Sequence, residues 1–143
     1  MTLRRSICNH WAEQRGATAI EFALVIGPLI LLLIGVIEAG RLMWVSHAMD
    51  EVAISGVRCI GIYSPDCAVG DDLAPERAVA HIQKMAAGWG VSLASEDISF
   101  EADAGCGLTT GFLRVALNVS FDSVLPGLNG IELQSEACFP SQF

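Results

Sequence analysis

Five cysteines, three histidines and sixteen carboxylates are the groups of this chain with chemistry to offer, and their spacing decides which chemistry is open. Cys8, Cys59, Cys67, Cys106 and Cys138 include no C-x-x-C, and neither His47 nor His81 has a partner at ligand spacing, so no metal site is expected. Gly105, Gly107 and Gly111 miss the G-x-G-x-x-G spacing and precede a strand pattern, where a dinucleotide site needs them before a helix; they read as a turn. A phosphate loop is missing too. The acids form no pair that sequence can place in a pocket, and a solvated acidic surface accounts for them. Asn118-Val119-Ser120 matches a glycosylation sequon but falls inside a strand pattern. The expectation is a protein that is not an enzyme and needs no cofactor.

The same residues are set in an unusually apolar chain. Of 143 residues, 52% are apolar and 17% charged, against a globular norm of about 25% charged. The excess is concentrated: Phe22 to Ile37 carries no charge and no hydrogen-bonding side chain, and its residues are Leu, Ile, Val or Phe except Ala23, Gly27, Pro28 and Gly35. Extended to Ala17 and Gly40, with Glu21 and Glu38 near the two interfaces, the run covers about 36 Å as a helix, enough to cross a bilayer with some tilt. At about −0.3 to −0.6 kcal/mol for each strongly apolar residue, insertion is favoured by roughly 4 to 7 kcal/mol before the glycines, proline and glutamates subtract. A buried core helix is the competing account, and so long an uninterrupted apolar stretch is rare in one.

The flanks orient the span. Arg4, Arg5 and Arg15 stand upstream with one acid, Glu13, whereas beyond Arg41 thirteen acids face Arg58, Arg77, Lys84 and Arg114. The basic bias of the short tail places the N-terminus in the cytoplasm and exports an acidic domain of about one hundred residues. Such a domain repels nucleic acid, and no basic patch with interleaved aromatics offers binding. Topology also sorts the cysteines: Cys8 stays in a reducing compartment, and the other four enter an oxidising one. Three pairings are possible. Cys59–Cys67 and Cys106–Cys138 are favoured, because each joins a regular element to its neighbouring loop or strand.

An ordinary cleaved secretory signal would end in an A-x-A-like site after its apolar core; here Ile37-Glu38-Ala39-Gly40-Arg41 follows. The small residue and the acid stand before the run instead, at Gly16 and Glu21. The stretch from Arg15 (Arg-Gly-Ala-Thr-Ala-Ile-Glu-Phe-Ala-Leu-Val), the span, and Gly35-Val-Ile-Glu-Ala-Gly-Arg41 closely resemble the TadE-like pseudopilins of bacterial Tad (tight adherence, Flp-type) pilus systems. The resemblance covers about residues 15 to 62. It implies that a prepilin peptidase cuts on the cytoplasmic side after Gly16, leaving Ala17 as the new N-terminus, Glu21 as the fifth mature residue and Phe22 beside it. It also implies other pilins or pseudopilins and the Tad secretion platform as partners, in an inner-membrane, single-pass protein that can enter a pilus.

The residues give that reading a physical basis. A cut at Gly16 puts an ammonium on Ala17 one helical turn from the Glu21 carboxylate, which can neutralise the amine of its own chain or a neighbour's. An interfacial glutamate ending a span is the plainer account of Glu21. Glu38 and Arg41, three apart, read as an ion pair on the helix surface. Ala19, Ala23 and Gly27 recur every four residues, and Gly35 and Ala39 repeat the pattern, so small residues offer close helix packing in lipid; chance gives such recurrences too. Pro28 removes one helical hydrogen bond and predicts a bend after Leu24.

These groups need elements to hold them. Leu42, Val45, Met49, Val52, Gly56 and Ile60 continue the helical period, which predicts one helix from about Ala17 to about Ile62. A loop through Ser64, Pro65, Asp66, Gly70 and Asp71 leads to a helix from Pro75 to about Ala87, with Ala78, Ile82, Met85 and Trp89 on its apolar face. From Phe112 to Phe121 the period becomes two, with Leu113, Val115, Leu117, Val119 and Phe121 on one side and Arg114, Asn118 and Ser120 on the other. Ile98 and Phe100 mark a strand before it; Ile131, Leu133 and Phe139 mark one after it, past a loop at Pro126, Gly127, Asn129 and Gly130. The expected fold is α+β and pilin-like: an N-terminal transmembrane helix continuing as a long amphipathic helix, packed on a small antiparallel β-sheet. The expected domains are a leader at 1–16, the span at 17–40 and a periplasmic domain at 41–143. Two functions compete, a processed pseudopilin of the pilus machinery and an uncleaved single-pass protein whose periplasmic domain is an adaptor for a partner.

Overall fold

The computed structural model describes residues 3–70, 72–107, 109–125 and 130–140, with side chains described from Thr18 onward. Helix α1 runs from Leu3 to Gly61 with Pro28 inside it, so it starts well before the expected Ala17. Gly16 alone, at about 1 kcal/mol relative to alanine, is too weak a breaker to stop a helix otherwise free of proline and glycine up to that point. Residues 1–39 form one compact unit and residues 40–143 another.

In the second unit, α1 ends on a turn with two bonds, Ser64 N–H to Cys59 C=O at 3.0 Å and Tyr63 N–H to Ile60 C=O at 3.1 Å. This is a Schellman cap, with Tyr63 at φ 52° in the left-handed position that usually takes glycine. Strands β1 (Ala68–Val69) and β2 (Asp72–Leu73) then pair as a two-residue antiparallel ladder where the sequence reads only as loop. Helix α2 (Pro75–Gly88) begins with proline in its first turn and ends on a second Schellman cap, Val91 N–H to Ala86 C=O at 3.0 Å, with Gly90 at φ 79°.

A single 3₁₀ turn, Ser95–Asp97, leads into β3 (Ile98–Cys106), β4 (Thr109–Phe121) and β5 (Ile131–Pro140), an antiparallel meander with β4 central. Register puts Ile98 opposite Leu117, Phe100 opposite Val115, Leu113 opposite Phe139 and Leu117 opposite Ser135. One face of all three strands therefore carries the apolar set that the period of two predicts in β4. Between Glu101 and Ala104 the register shifts, with Asp103 at φ 60°, which marks a bulge that bends the end of β3.

The core lies between that face and two helices. From α1, Ala48, Met49, Val52, Ala53, Val57 and Ile60 are buried; from α2, Ala78, Ile82 and Ala86. The α2 stripe thus steps by four residues throughout, and Met85 and Trp89, expected on it, lie outside the core. Small residues set the spacing of the layers. A Cβ on Gly56 would stand 2.8 Å from the Ile82 side chain, and one on Gly61 would overlap the Phe139 ring. Pro126, Gly127 and Asn129, expected in a loop, fall outside the described residues.

Candidate functional site

The segment expected to be processed sits on α1. Gly16 and Ala17 lie within the helical range Leu3–Gly61, and their side chains are outside the described residues, as are Cys8 and the upstream arginines. Ala17 and Glu21 are one turn apart on that helix, a spacing at which Cβ atoms lie about 5 to 6 Å from each other. Glu21 and Phe22 are both exposed. Cleavage between Gly16 and Ala17 would place the new ammonium within reach of the Glu21 carboxylate on the same face.

The apolar stretch beyond them has no protein cover. An 18-residue window within Thr18–Gly61 reaches a mean hydropathy of 2.7 with none of it buried, and Ile20, Phe22, Leu24, Val25, Leu31 and Leu32 are all exposed. A Cβ on Gly27 or Gly35 meets nothing within 4 Å. Ala19, Ala23, Gly27, Gly35 and Ala39 do not form one straight stripe, however. Four-residue steps advance about 40° around a helix of 3.6 residues per turn, so Ala39 points roughly 200° away from Ala19. They make two patches, Ala19–Gly27 and Gly35–Ala39, the kind of winding row that suits a right-handed crossing of two helices.

Sequence reasoning misses several contacts at the start of the second unit. Arg41 lies over the Phe121 ring, 5.4 Å from its centroid, a cation–π pair joining α1 to the end of β4. Glu38, at the end of the first unit, is 5% exposed, so this glutamate is buried where a surface position was expected. Trp44 and Trp89 pack with centroids 5.5 Å apart and planes tilted by 60°, and the Trp44 indole N–H donates to the Trp89 carbonyl at 3.3 Å. Trp89, the residue just past α2, thus packs on Trp44 and not in the core. The buried Ser135 hydroxyl donates to Asp50 at 2.7 Å and so pins β5 to α1. Only residue type was available to find these pairs, because each bridges 45 to 85 positions of sequence.

The cysteines are joined as Cys59–Cys67, with Cα atoms 5.9 Å apart, and Cys106–Cys138, at 6.5 Å. The first closes the turn after α1; the second links the two strands that flank β4, helped by the bend in β3. Ligand atoms of His81, Cys59 and Cys67 lie within 4.8 Å of one another, a proximity that sequence spacing hides. With both sulfurs committed to the disulfide, neither is a thiolate, and a thiolate is what binds a metal. Arg114 pairs on the outer face with Glu101 across β3 and with Glu136 at 3.5 Å across β5. All three side chains are at least a third exposed, so each pair contributes about 0 to 1 kcal/mol. Of the three glycines expected in a turn, only Gly107, at φ 69°, lies between β3 and β4; Gly105 lies within β3 and Gly111 within β4, the latter at φ 90° in the region that favours glycine.

No curated protein and no solved structure shows a significant match to the chain. A family model does: it begins at Gly16, covers the whole apolar stretch and ends one residue before Cys59. Residues 16–58 of this chain match the family described as TadE-like protein.

Proposed function

We propose that this protein is a TadE-like pseudopilin, a minor pilin-like subunit that acts in Tad (Flp-type) pilus biogenesis and adherence and is matured by a prepilin peptidase at Gly16–Ala17. The observation that carries the reading is the extent of the family match, which starts at Gly16 and takes in Glu21 and the full uncovered apolar stretch of α1. A cut at that point removes the basic tail and keeps the apolar helix, so the mature protein stays a single-pass inner-membrane protein with its C-terminal unit in the periplasm. Glu21 then neutralises the Ala17 ammonium, its own or that of an incoming pilin helix. The two small-residue patches let helices approach as they pack beside one another. The protein has no enzymatic role in this reading; its partners are the prepilin peptidase, other pilins or pseudopilins and the Tad secretion platform.

One observation favours the uncleaved adaptor. Gly16–Ala17 lies within a helical range, and a peptidase reaching that bond must first unwind a turn. Gly16 lowers the cost of doing so by about 1 kcal/mol relative to alanine. Complementation separates the two readings. In a strain lacking this gene, wild-type protein restores Tad filaments and surface attachment, whereas Gly16→Val and Glu21→Gln do not. Full restoration by Gly16→Val of unchanged length would favour the adaptor.

A further inference from the structure

We infer that one end of the C-terminal unit, built from Trp44, Trp89 and Val124, is a seat for the headgroup layer of a phospholipid bilayer. Within that unit three chain segments converge at this end. Phe121, the last residue of β4, lies under Arg41; at the other end of the strand, Leu113 pairs with Phe139, whose ring faces Gly61. Strand β4 therefore lies alongside α1, with its C-terminal end beside the first residues of the unit. Trp89, one residue past α2, reaches the same place through its contact with Trp44. Val124, three residues beyond Phe121, is 77% exposed.

What covers this end follows from its distance to the apolar stretch. Trp44 is seven residues beyond Ile37, about 10 Å of helix, and side chains of a helix tilt back toward its N-terminus. A bilayer of about 40 to 45 Å around a hydrocarbon core of about 30 Å leaves each interface roughly 5 to 7 Å deep, so the Trp44 ring falls at headgroup level. Tryptophan is the side chain enriched there, since an apolar ring with one N–H suits a layer that is apolar below and wet above. Trp44 is 57% exposed and Trp89 39% despite packing tilted against each other, so apolar ring area remains for lipid. Charge argues against a polybasic contact: residues after Arg41 hold thirteen acids and four bases, and an anionic surface repels them. The seat is aromatic, and the matching surface is a zwitterionic lipid interface. Seating fixes how the acidic unit stands on the membrane, which a single helix alone leaves free to rotate and tilt.

The inference rests on α1 spanning the bilayer, and the experiment separates the two. Full-length protein carrying Trp11→Phe is placed in phosphatidylcholine nanodiscs whose lipids bear quenchers either at the headgroup or at mid-chain. Trp44→Phe then isolates Trp89, Trp89→Phe isolates Trp44, and Leu31→Trp in a chain with all three native tryptophans changed to Phe reports on the span. Expected is a loss of Trp89 emission as large as that of Trp44 with headgroup quenchers, with a smaller loss from mid-chain ones; Leu31→Trp shows the reverse order. Adding Val124→Asp reduces the Trp89 loss. Trp89 emission untouched by headgroup quenchers while Leu31→Trp is quenched at mid-chain overturns the seat and leaves the span standing, including where a second copy covers the tryptophans instead. An unquenched Leu31→Trp overturns the span, and the seat with it.

Discussion

Thr18–Ala39 and Gly40–Gly61 are successive lengths of one helix, and they meet their surroundings in opposite ways. In the first, apolar side chains point in every direction and almost all are exposed; only Glu38 is buried. In the second, Met49, Val52, Val57 and Ile60 are buried while Asp50, Glu51 and Arg58 face out. A helix apolar all round needs lipid or other helices, whereas an amphipathic one needs a core on one side. Backbone geometry is common to both. The side-chain pattern alone assigns the solvent, so the same kind of substitution should have unlike effects on the two sides of Gly40.

The largest contrast is in truncating leucine. Leu117→Ala, on the fully buried face of β4, should cost the C-terminal unit about 2 to 5 kcal/mol in denaturant unfolding of the full chain in detergent. Leu31→Ala should leave that transition where it is and lower membrane insertion by less than about 1 kcal/mol. Equal shifts for the two would erase the distinction. Next come the disulfides, which among the described residues lie on the far side of Gly40. Cys138→Ser opens a loop of sequence separation 32 and Cys67→Ser one of 8; loop-entropy estimates give about 3.7 and 2.6 kcal/mol, so the midpoint should fall further for Cys138→Ser.

Glycines sharpen the comparison on a smaller scale. Gly56→Ala drives a methyl against Ile82 and should cost about 1 to 3 kcal/mol in the same unfolding measurement. Gly27→Ala and Gly35→Ala meet open space and should leave the isolated protein's unfolding unchanged. If the small-residue patches pack against neighbouring helices, those two variants should instead reduce filament yield, which electron microscopy of complemented cells would read. The smallest effect belongs to the surface: Arg114→Ala removes two exposed pairs and should change stability by less than about 1 kcal/mol.

How legible these features were depends on how local their causes are. The long helix, the start of α2 at Pro75 and the buried face of β4 follow from periods of 3.6 and 2 or from a single residue's backbone limits. Cysteine pairing was within reach for Cys59–Cys67, which joins the end of α1 to the turn just after it, whereas Cys106–Cys138 joins β3 to β5 past the intervening β4 and depends on the bend of β3. The core face of α2 was misjudged at one step, since Ala86 carries too little apolar surface to outweigh Met85 and Trp89 until the partner Trp44 is known. Asp50 with Ser135, and His81 beside Cys59 and Cys67, depend on tertiary approach that no local pattern encodes. The β1–β2 ladder is two residues long, below what alternation can reveal. Around Gly16 the motif was readable because Gly16, Glu21 and the span are close in sequence, but the helical state of the Gly16–Ala17 bond was not.

The central claim is that the apolar half of α1 begins, in the mature protein, at Ala17. The direct measurement is the intact mass and N-terminal residue of the protein purified from native membranes of cells with an active prepilin peptidase. The account predicts loss of sixteen of the 143 residues, about 1.7 kDa of 15.2 kDa, and an N-terminus at Ala17, with the loss abolished by Gly16→Val. A chain that retains residues 1–16 in those cells would contradict it.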